Sequence, residues 1–263
     1  MDDSDLRLTY IGGPTALIEI GGLRFLTDPT FDPAGSRYPT SEYVLRKTQG
    51  PALPPAGLGE LTAVLVSHGH HFDNLDHAGR ELLAHAPLVL TTVAGATALG
   101  GRAQGLALWQ TVKLTGPSGD EVSLTAVPAR HGPADGDRGP VIGFVLRLGS
   151  CPQSAVYISG DTVWYDGVEE VGRRFPIRVA VLNMGAAMVA VAGPHHLTLT
   201  AAEGVRLAEA WPGAVVVPLH YEGWEHFTEG RAEIEASFEE RGLLTRLCWL
   251  TPGVPQAIAL AAL

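Results

Sequence analysis

A chain of 263 residues, 46% of them hydrophobic, is long enough to bury a substantial core in one large domain or two closely packed halves, and this composition excludes intrinsic disorder. The formal charge of −10 and the pI near 5.4 argue against a broad nucleic-acid footprint, which needs clustered Lys and Arg. No apolar run of roughly 18 residues occurs, and the N-terminus MDDSDLRLTY is acidic where a secretory signal is basic and then apolar. The expectation is a cytoplasmic protein without a membrane span, acting on a small molecule.

The 32 glycines and 19 prolines predict many short elements joined by tight turns. Three strands are expected at 6–11, 15–20 and 23–27, separated by Gly12-Gly13-Pro14 and Gly21-Gly22 and stopped by Asp28-Pro29. From Thr30 to Pro55 no period is visible, and so long an unstructured connection suggests a functional lid. The run Leu61–Ser67 (LTAVLVS) is the continuous apolar pattern of a strand covered on both faces.

Helices are expected near 75–85 and 93–99, then strands near 106–114, 121–128, 141–148 and 154–159. A helix near 165–174 leads to a strand at 178–183, and Thr200 with Glu203 forms a capping-box start for a helix ending at Trp211-Pro212-Gly213. The strand AVVVPLH ends on His220, and a helix at 231–242 and a strand at 244–250 follow. No linker interrupts the pattern, so residues 1–263 read as one domain of two similar halves.

Eight of the ten histidines fall beside four strand ends: His68, His70, His71 and His77; His131; His195 and His196; and His220. A divalent metal needs neutral imidazoles and carboxylates converging at about 2.0–2.2 Å, and strand-end loops bring sequence-distant donors together on a rigid frame. Cys151 and Cys248 lack ligand spacing and read as free thiols.

The segments SHGHHFDNLDH after an apolar strand, ARHG at His131, SGDT at Asp161 and PLHY at His220 resemble, in order, the metal motifs of metallo-β-lactamase-fold hydrolases. The opening TYIGGPTALIEIGGLRFLTDP and the segment HHLTLTAAEGVRLAEAW look like the branch that contains ascorbate-phosphate lactonases and the phospholipase D that hydrolyses N-acylphosphatidylethanolamine. The resemblance implies an α/β (α+β) fold, a four-layer αββα sandwich.

The family motif is HxHxDH, and this sequence departs from it twice. Aligning DNLD with the usual DHLD places Asp73 at the aspartate and Asn74 at the final histidine, leaving one extra residue after His68. Spacing from Asp73 favours His71 as the second ligand, whereas spacing from His68 favours His70; His71 is preferred and the alternative stays open. The resemblance then places His68, His71 or His70, and His131 on a first metal, Asp161 between the two, and Asp73 and His220 on a second. Asn74 offers a weaker donor than imidazole, so the second site is expected to be weaker, differently metallated or empty. Zn²⁺ is the preferred ion, with Mn²⁺ and Fe²⁺ as alternatives.

The expected chemistry is attack by metal-bound hydroxide on a small-molecule ester, lactone, amide or phosphoester, since metal binding lowers the pKa of water from 15.7 to about 7. Asp73 would orient or deprotonate the attacking water and His196, which resembles the branch's HxT histidine, would lie near the substrate as a proton donor or oxyanion contact. Asp28 would support the histidine loop, and Tyr38, Tyr43, Trp224 and Phe227 are candidate pocket residues. His195 is expected to point away, and His85 and His226 to be ordinary surface or core residues. The alternatives are a nuclease or phosphodiesterase of the same fold, and a non-catalytic metal-binding module. Self-association is left open.

Overall fold

The computed structural model describes residues 6–135 and 138–260. The chain opens as an antiparallel meander of β1 (Leu6–Gly12), β2 (Thr15–Ile20) and β3 (Leu23–Thr27). Gly21 and Gly22 turn tightly between β2 and β3 with φ of 56° and 71°, a region that side chains disfavour. The next segment, expected to be a lid without structure, contains a small hairpin of β4 (Arg37–Pro39) and β5 (Val44–Arg46). A short hairpin of this kind has too few alternating residues to stand out in the sequence.

The first half continues with β6 (Ala63–Leu65), α1 (His77–His85), β7 (Val89–Thr92), α2 (Val93–Leu99) and β8 (Ala103–Leu106). The second contains β9 (Thr111–Thr115), β10 (Glu121–Pro128), β11 (Ile142–Leu148), β12 (Ala155–Ile158), α3 (Asp166–Arg174), β13 (Ile177–Asn183), α4 (Ala201–Ala210), β14 (Val215–Leu219), α5 (Arg231–Glu240) and β15 (Gln256–Ile258).

Seven strands form one sheet in the order β15-β1-β2-β3-β6-β7-β8, and six form another in the order β14-β13-β12-β11-β10-β9. The run β3-β6-β7-β8 is parallel, as is β12-β13-β14, so within each run the C-terminal strand ends share one edge. Leu8, Ile18, Phe25 and Leu65 of the first sheet meet Leu124, Phe144, Val156 and Val217 of the second in one buried cluster. Outside, α3, α4 and α5 cover the second sheet through Val168, Leu207 and Phe238, while Leu82 of α1 packs on Val64 of the first. The result is the expected four-layer αββα sandwich, in which each sheet buries one face against its partner and the other against helices.

Three sequence expectations are corrected. The strand expected at 106–114 is two strands in different sheets, because the chain turns at Ala107–Gln110, where Trp109 takes a φ of 68°. The segment 244–250 forms a 3₁₀ turn at Leu244–Arg246 followed by a single bridge from Leu247 to Val216 of β14, and the last strand, β15, lies at the edge of the other sheet beside β1. Strand β7, four residues long, was not foreseen; buried on one side of α1 and followed at once by α2, it is too short for periodicity to show.

The 30–55 segment is stapled to the sandwich from below. Asp76, the N-cap of α1, accepts from the backbone N–H groups of Gly79, Phe31 and Asp32 and from Lys47 Nζ at 2.9 Å. Asp76 is 0% exposed and Lys47 4%, so this pair is shielded from water and the Lys47 ammonium also lies over the Trp224 ring. Removing one partner of such a pair strands the other charge in the interior. Asp76→Ala is therefore expected to cost about 3–5 kcal/mol in denaturant unfolding, and the double variant Lys47→Met/Asp76→Asn to recover part of it; a loss from Asp76→Ala below about 1 kcal/mol would contradict the staple.

Candidate metal centre

Five strand ends deliver the site. Ser67 and His68 follow the end of β6, His131 follows β10, Asp161 follows β12, Asn183 is the last residue of β13, and His220 follows β14. All of these are buried. His220 adopts φ of 53°, a costly conformation for a residue with a Cβ, and its N–H is tied to the Gly13 carbonyl at 2.8 Å. Asp28, at the end of β3, has φ of 27° and accepts the Ser67 N–H at 2.7 Å, which anchors the start of the histidine loop. Burial pushes its carboxyl up to about 8, against the opposing hydrogen bond from Ser67.

One group of donors comprises His68, His71 and His131. His71 Nδ1 lies 3.2 Å from His68 Nε2 and 3.1 Å from His131 Nε2. His131 Nδ1 faces the Leu197 carbonyl at 2.8 Å, so it bears the proton and leaves Nε2 as a lone pair in the neutral ring. Burial first, and the neighbouring His131 ring second, push His68 well below the ordinary imidazole value and His71 down to about 3. These rings are therefore neutral, and one proton on His71 Nδ1 satisfies only one of the two nitrogens facing it. The spacings are close to the edge of about 3.3 Å between nitrogens arranged tetrahedrally around a zinc-sized ion.

His70 is close by, with a ring nitrogen within 4.8 Å of donors from His68 and His71. Its Nε2, however, is turned to the Arg138 carbonyl at 2.7 Å, and its side chain is exposed.

The second group comprises Asp73, Asp161 and His220, whose ligand atoms lie within 4.8 Å of one another. His220 Nε2 is 3.6 Å from Asp73 Oδ2 and 3.8 Å from Asp161 Oδ1. The other oxygen of Asp161, Oδ2, faces the first group, 3.9 Å from His68 Nε2 and 3.7 Å from His131 Nε2. Asp161 thus presents one oxygen to each group, and Asn183 Nδ2 donates to its Oδ1 at 2.7 Å, fixing the plane of the carboxylate. Burial would raise the Asp73 carboxyl, but the His226 imidazole hydrogen-bonded to it and the His220 imidazole at 3.6 Å outweigh it and hold it well below the usual carboxylate range.

The donor set fits a cation by a direct criterion. Asp161 Oδ2 and both ring nitrogens of His220 are buried without a hydrogen-bond partner, and an unmade bond of this kind costs about 1–3 kcal/mol per group. Lone pairs of four imidazoles and two carboxylates converging at one edge are what divalent ions satisfy.

The cavity above these groups measures about 10 Å³, room for about one water molecule. Its lining includes His71, Asp73 and His131 together with Tyr43, Leu45, Arg138, Val189 and His226. A larger cavity of about 720 Å³ lies between the Pro55–Gly57 turn and α1, against Leu58, Leu82 and His85, far from this chemistry and without a convergent donor set.

Not every expected residue comes to the site. His196, read as a proton donor, is not among the residues lining the cavity; its Nδ1 faces the Ala186 carbonyl at 3.2 Å, and the adjacent Leu197 points inward instead. His195 is exposed. Tyr38 donates to Asp32 and packs on Phe72, so of the candidate aromatics only Tyr43 lines the cavity, while Phe227 packs edge-on against His220. Two residues were missed. Asn183 carried only the weak signal of a polar residue closing an apolar strand, and His226 was read as ordinary although its Nε2 lies 3.0 Å from Asp73 Oδ2. Cys151 and Cys248 are free thiols, as expected.

Asn183→Ala leaves Asp161 in place but removes its orienting donor. Metal affinity is expected to fall roughly 10–100-fold in a chelator-competition titration; an affinity within a factor of about two of the parent would show that this bond does not tune the site.

Over residues 23–221 the chain matches the family described as Beta-lactamase superfamily domain. It is 26% identical over 244 residues to a UPF0173 metal-dependent hydrolase of Pyrobaculum aerophilum, covering 89% of this chain and 92% of that relative. It is 25% identical over 256 residues to the UPF0173 protein YddR of Bacillus subtilis, covering 92% and 96%. Among solved structures, the isothiocyanate hydrolase from Delia radicum gut bacteria superposes with a TM-score of 0.81 at 22% identity, over 96% of this chain and 99% of that one. The metallo hydrolase Igni18 of Ignicoccus hospitalis superposes with a TM-score of 0.70 at 20% identity, over 97% and 98%. With His and Asp groups positioned to bind metal at its strand ends, the chain belongs to the beta-lactamase superfamily and is a metal-dependent hydrolase of the metallo-β-lactamase fold.

Proposed function

We propose that this hydrolase cleaves a small-molecule ester or lactone, with a phosphoester as the neighbouring substrate class, using two divalent ions, zinc by preference. The observation that supports this most is Asp161, which turns one buried oxygen to the His68/His131 group and the other to His220. In this reading His68, His71 and His131 hold the first ion, Asp161 bridges, and Asp73 and His220 hold the second. His71 takes precedence over His70 because its Nδ1 makes the two short contacts while the His70 Nε2 is committed to a carbonyl.

Ions bound there supply Lewis acidity, polarising the scissile carbonyl or phosphoryl oxygen and making water acidic enough to attack near neutral pH. The protein's own part is to position. Asp73, kept ionised by its two imidazole neighbours, is available to orient the attacking water and accept its proton. The neutral rings of His68 and His71 keep their lone pairs toward the site, and Leu45, Val189 and Leu197 exclude bulk water above it.

The cavity is too small for a substrate as it stands, so binding requires the β4–β5 hairpin, which presents Tyr43 and Leu45, to move outward over its anchored base at Lys47. Arg138 is the one cationic side chain lining the cavity among the described residues, which suits a compact substrate with a single anionic group better than a polyanion. No helix of the described residues is long and apolar enough to cross a membrane.

The test is elemental analysis of protein purified without chelator, followed by turnover on a panel of lactones, carboxylic esters, phosphodiesters and an isothiocyanate. Two ions per chain with turnover that Asp161→Ala abolishes is the expected result; metal binding with no turnover across the panel would favour a binding module. Stripping the ions is also expected to lower the melting temperature by roughly 5–10 °C, since a ligand at about 100 times its Kd contributes about 2.7 kcal/mol.

A further inference from the structure

Asn74, which stands where the family motif has its last histidine, is buried with neither Oδ1 nor Nδ2 hydrogen-bonded. An imidazole is therefore missing from the second donor group, which is left with Asp73, Asp161 and His220. Another imidazole stands beside that group. His226, on the loop that follows β14, brings Nε2 to 3.0 Å from Asp73 Oδ2, the same oxygen that His220 Nε2 faces at 3.6 Å.

Several features mark His226 as placed. Its side chain is 12% exposed and lines the cavity together with Asp73, His71 and His131. Its carbonyl accepts the Met188 N–H at 3.0 Å, and its ring packs on Phe227, which in turn packs on His220. Its Nδ1 is buried and unpartnered, so nothing on the protein fixes which nitrogen carries the proton. A nitrogen–oxygen separation of 3.0 Å serves equally as a hydrogen bond and as the edge between two neighbouring ligands of one small ion.

We infer that His226 supplies the nitrogen donor that Asn74 does not, completing the second metal group with Asp73, Asp161 and His220. The inference rests on the two-ion reading above. The histidine lost from the motif is thus replaced from a loop 152 positions away in the chain, counted from Asn74 to His226, and the second site keeps a donor set strong enough to retain its ion.

The test reads metal rather than turnover. Wild-type protein, His226→Ala, His226→Gln and the double variant Asn74→His/His226→Ala are loaded with Zn²⁺ or Co²⁺, dialysed, and assayed for ions per chain and for the visible absorption of bound Co²⁺. The expected result is two ions in the wild type and one in His226→Ala, with the retained first ion showing that the fold has survived. His226→Gln should also lose the second ion, and the double variant should regain it. Two ions held undiminished by His226→Ala would overturn the inference. So would full recovery by His226→Gln, whose amide can still donate to Asp73 but offers no imidazole, because His226 would then only orient that carboxylate. A wild type that holds one ion at most fails the two-ion reading itself, before any variant of His226 is made.

Discussion

The structure is organised around a buried carboxylate with an unsatisfied oxygen. Asp161 has no exposure, is gripped on one side by Asn183, and turns Oδ2 toward the ring nitrogens of His68 and His131 without a hydrogen bond from either. Burying such a group is unfavourable unless it is paired, and the deep apolar layer between the two sheets is what holds it there. Its neighbours carry the same tension: His220 is held in a left-handed backbone conformation, and Asp28 is buried beneath the histidine loop. Strain and unmade bonds collect at one edge of an otherwise well-packed sandwich, where the His and Asp groups are positioned to bind metal.

Parallel pairing explains why the donors meet. In each parallel run, the strands all end on the same side, so residues 68, 161, 183 and 220 arrive at one edge without any of them being close in sequence. The loops that follow then close over this edge. The β4–β5 hairpin reaches it from the first half of the chain and the Ala187–Leu197 segment from the second, leaving a cavity of about 10 Å³. The hairpin is not a loose flap, because Lys47 at its base is buried against Asp76 and Trp224. Tyr43, on the turn between its two strands, lines the cavity.

Much of the fold was legible because it follows from short-range rules. The Gly-Gly turns, the Thr200–Glu203 capping box and the apolar strands running straight into His68, Asp161 and His220 each leave a local trace. The departures came where local traces are ambiguous. An alternating segment around Trp109 looks continuous, yet a single residue of positive φ sends its two parts to different sheets. His196 and His226 show the same limit at the site. The first sits in a motif-like context but turns to the Ala186 carbonyl, whereas the second has no motif around it and faces Asp73.

By itself the sequence determined the layered α/β class, the ordered series of strand-end histidines and aspartates, and the acidic character that disfavours polyanionic partners, since all of these depend on composition and on neighbours in the chain. Only the tertiary structure turned His71 Nδ1 toward His68 and His131, placed Asn183 on Asp161, and brought His226 to Asp73. Those are relations between side chains from different strands and loops, set by how the two sheets stack and by the rotamers that packing leaves open. No spacing along one segment encodes them.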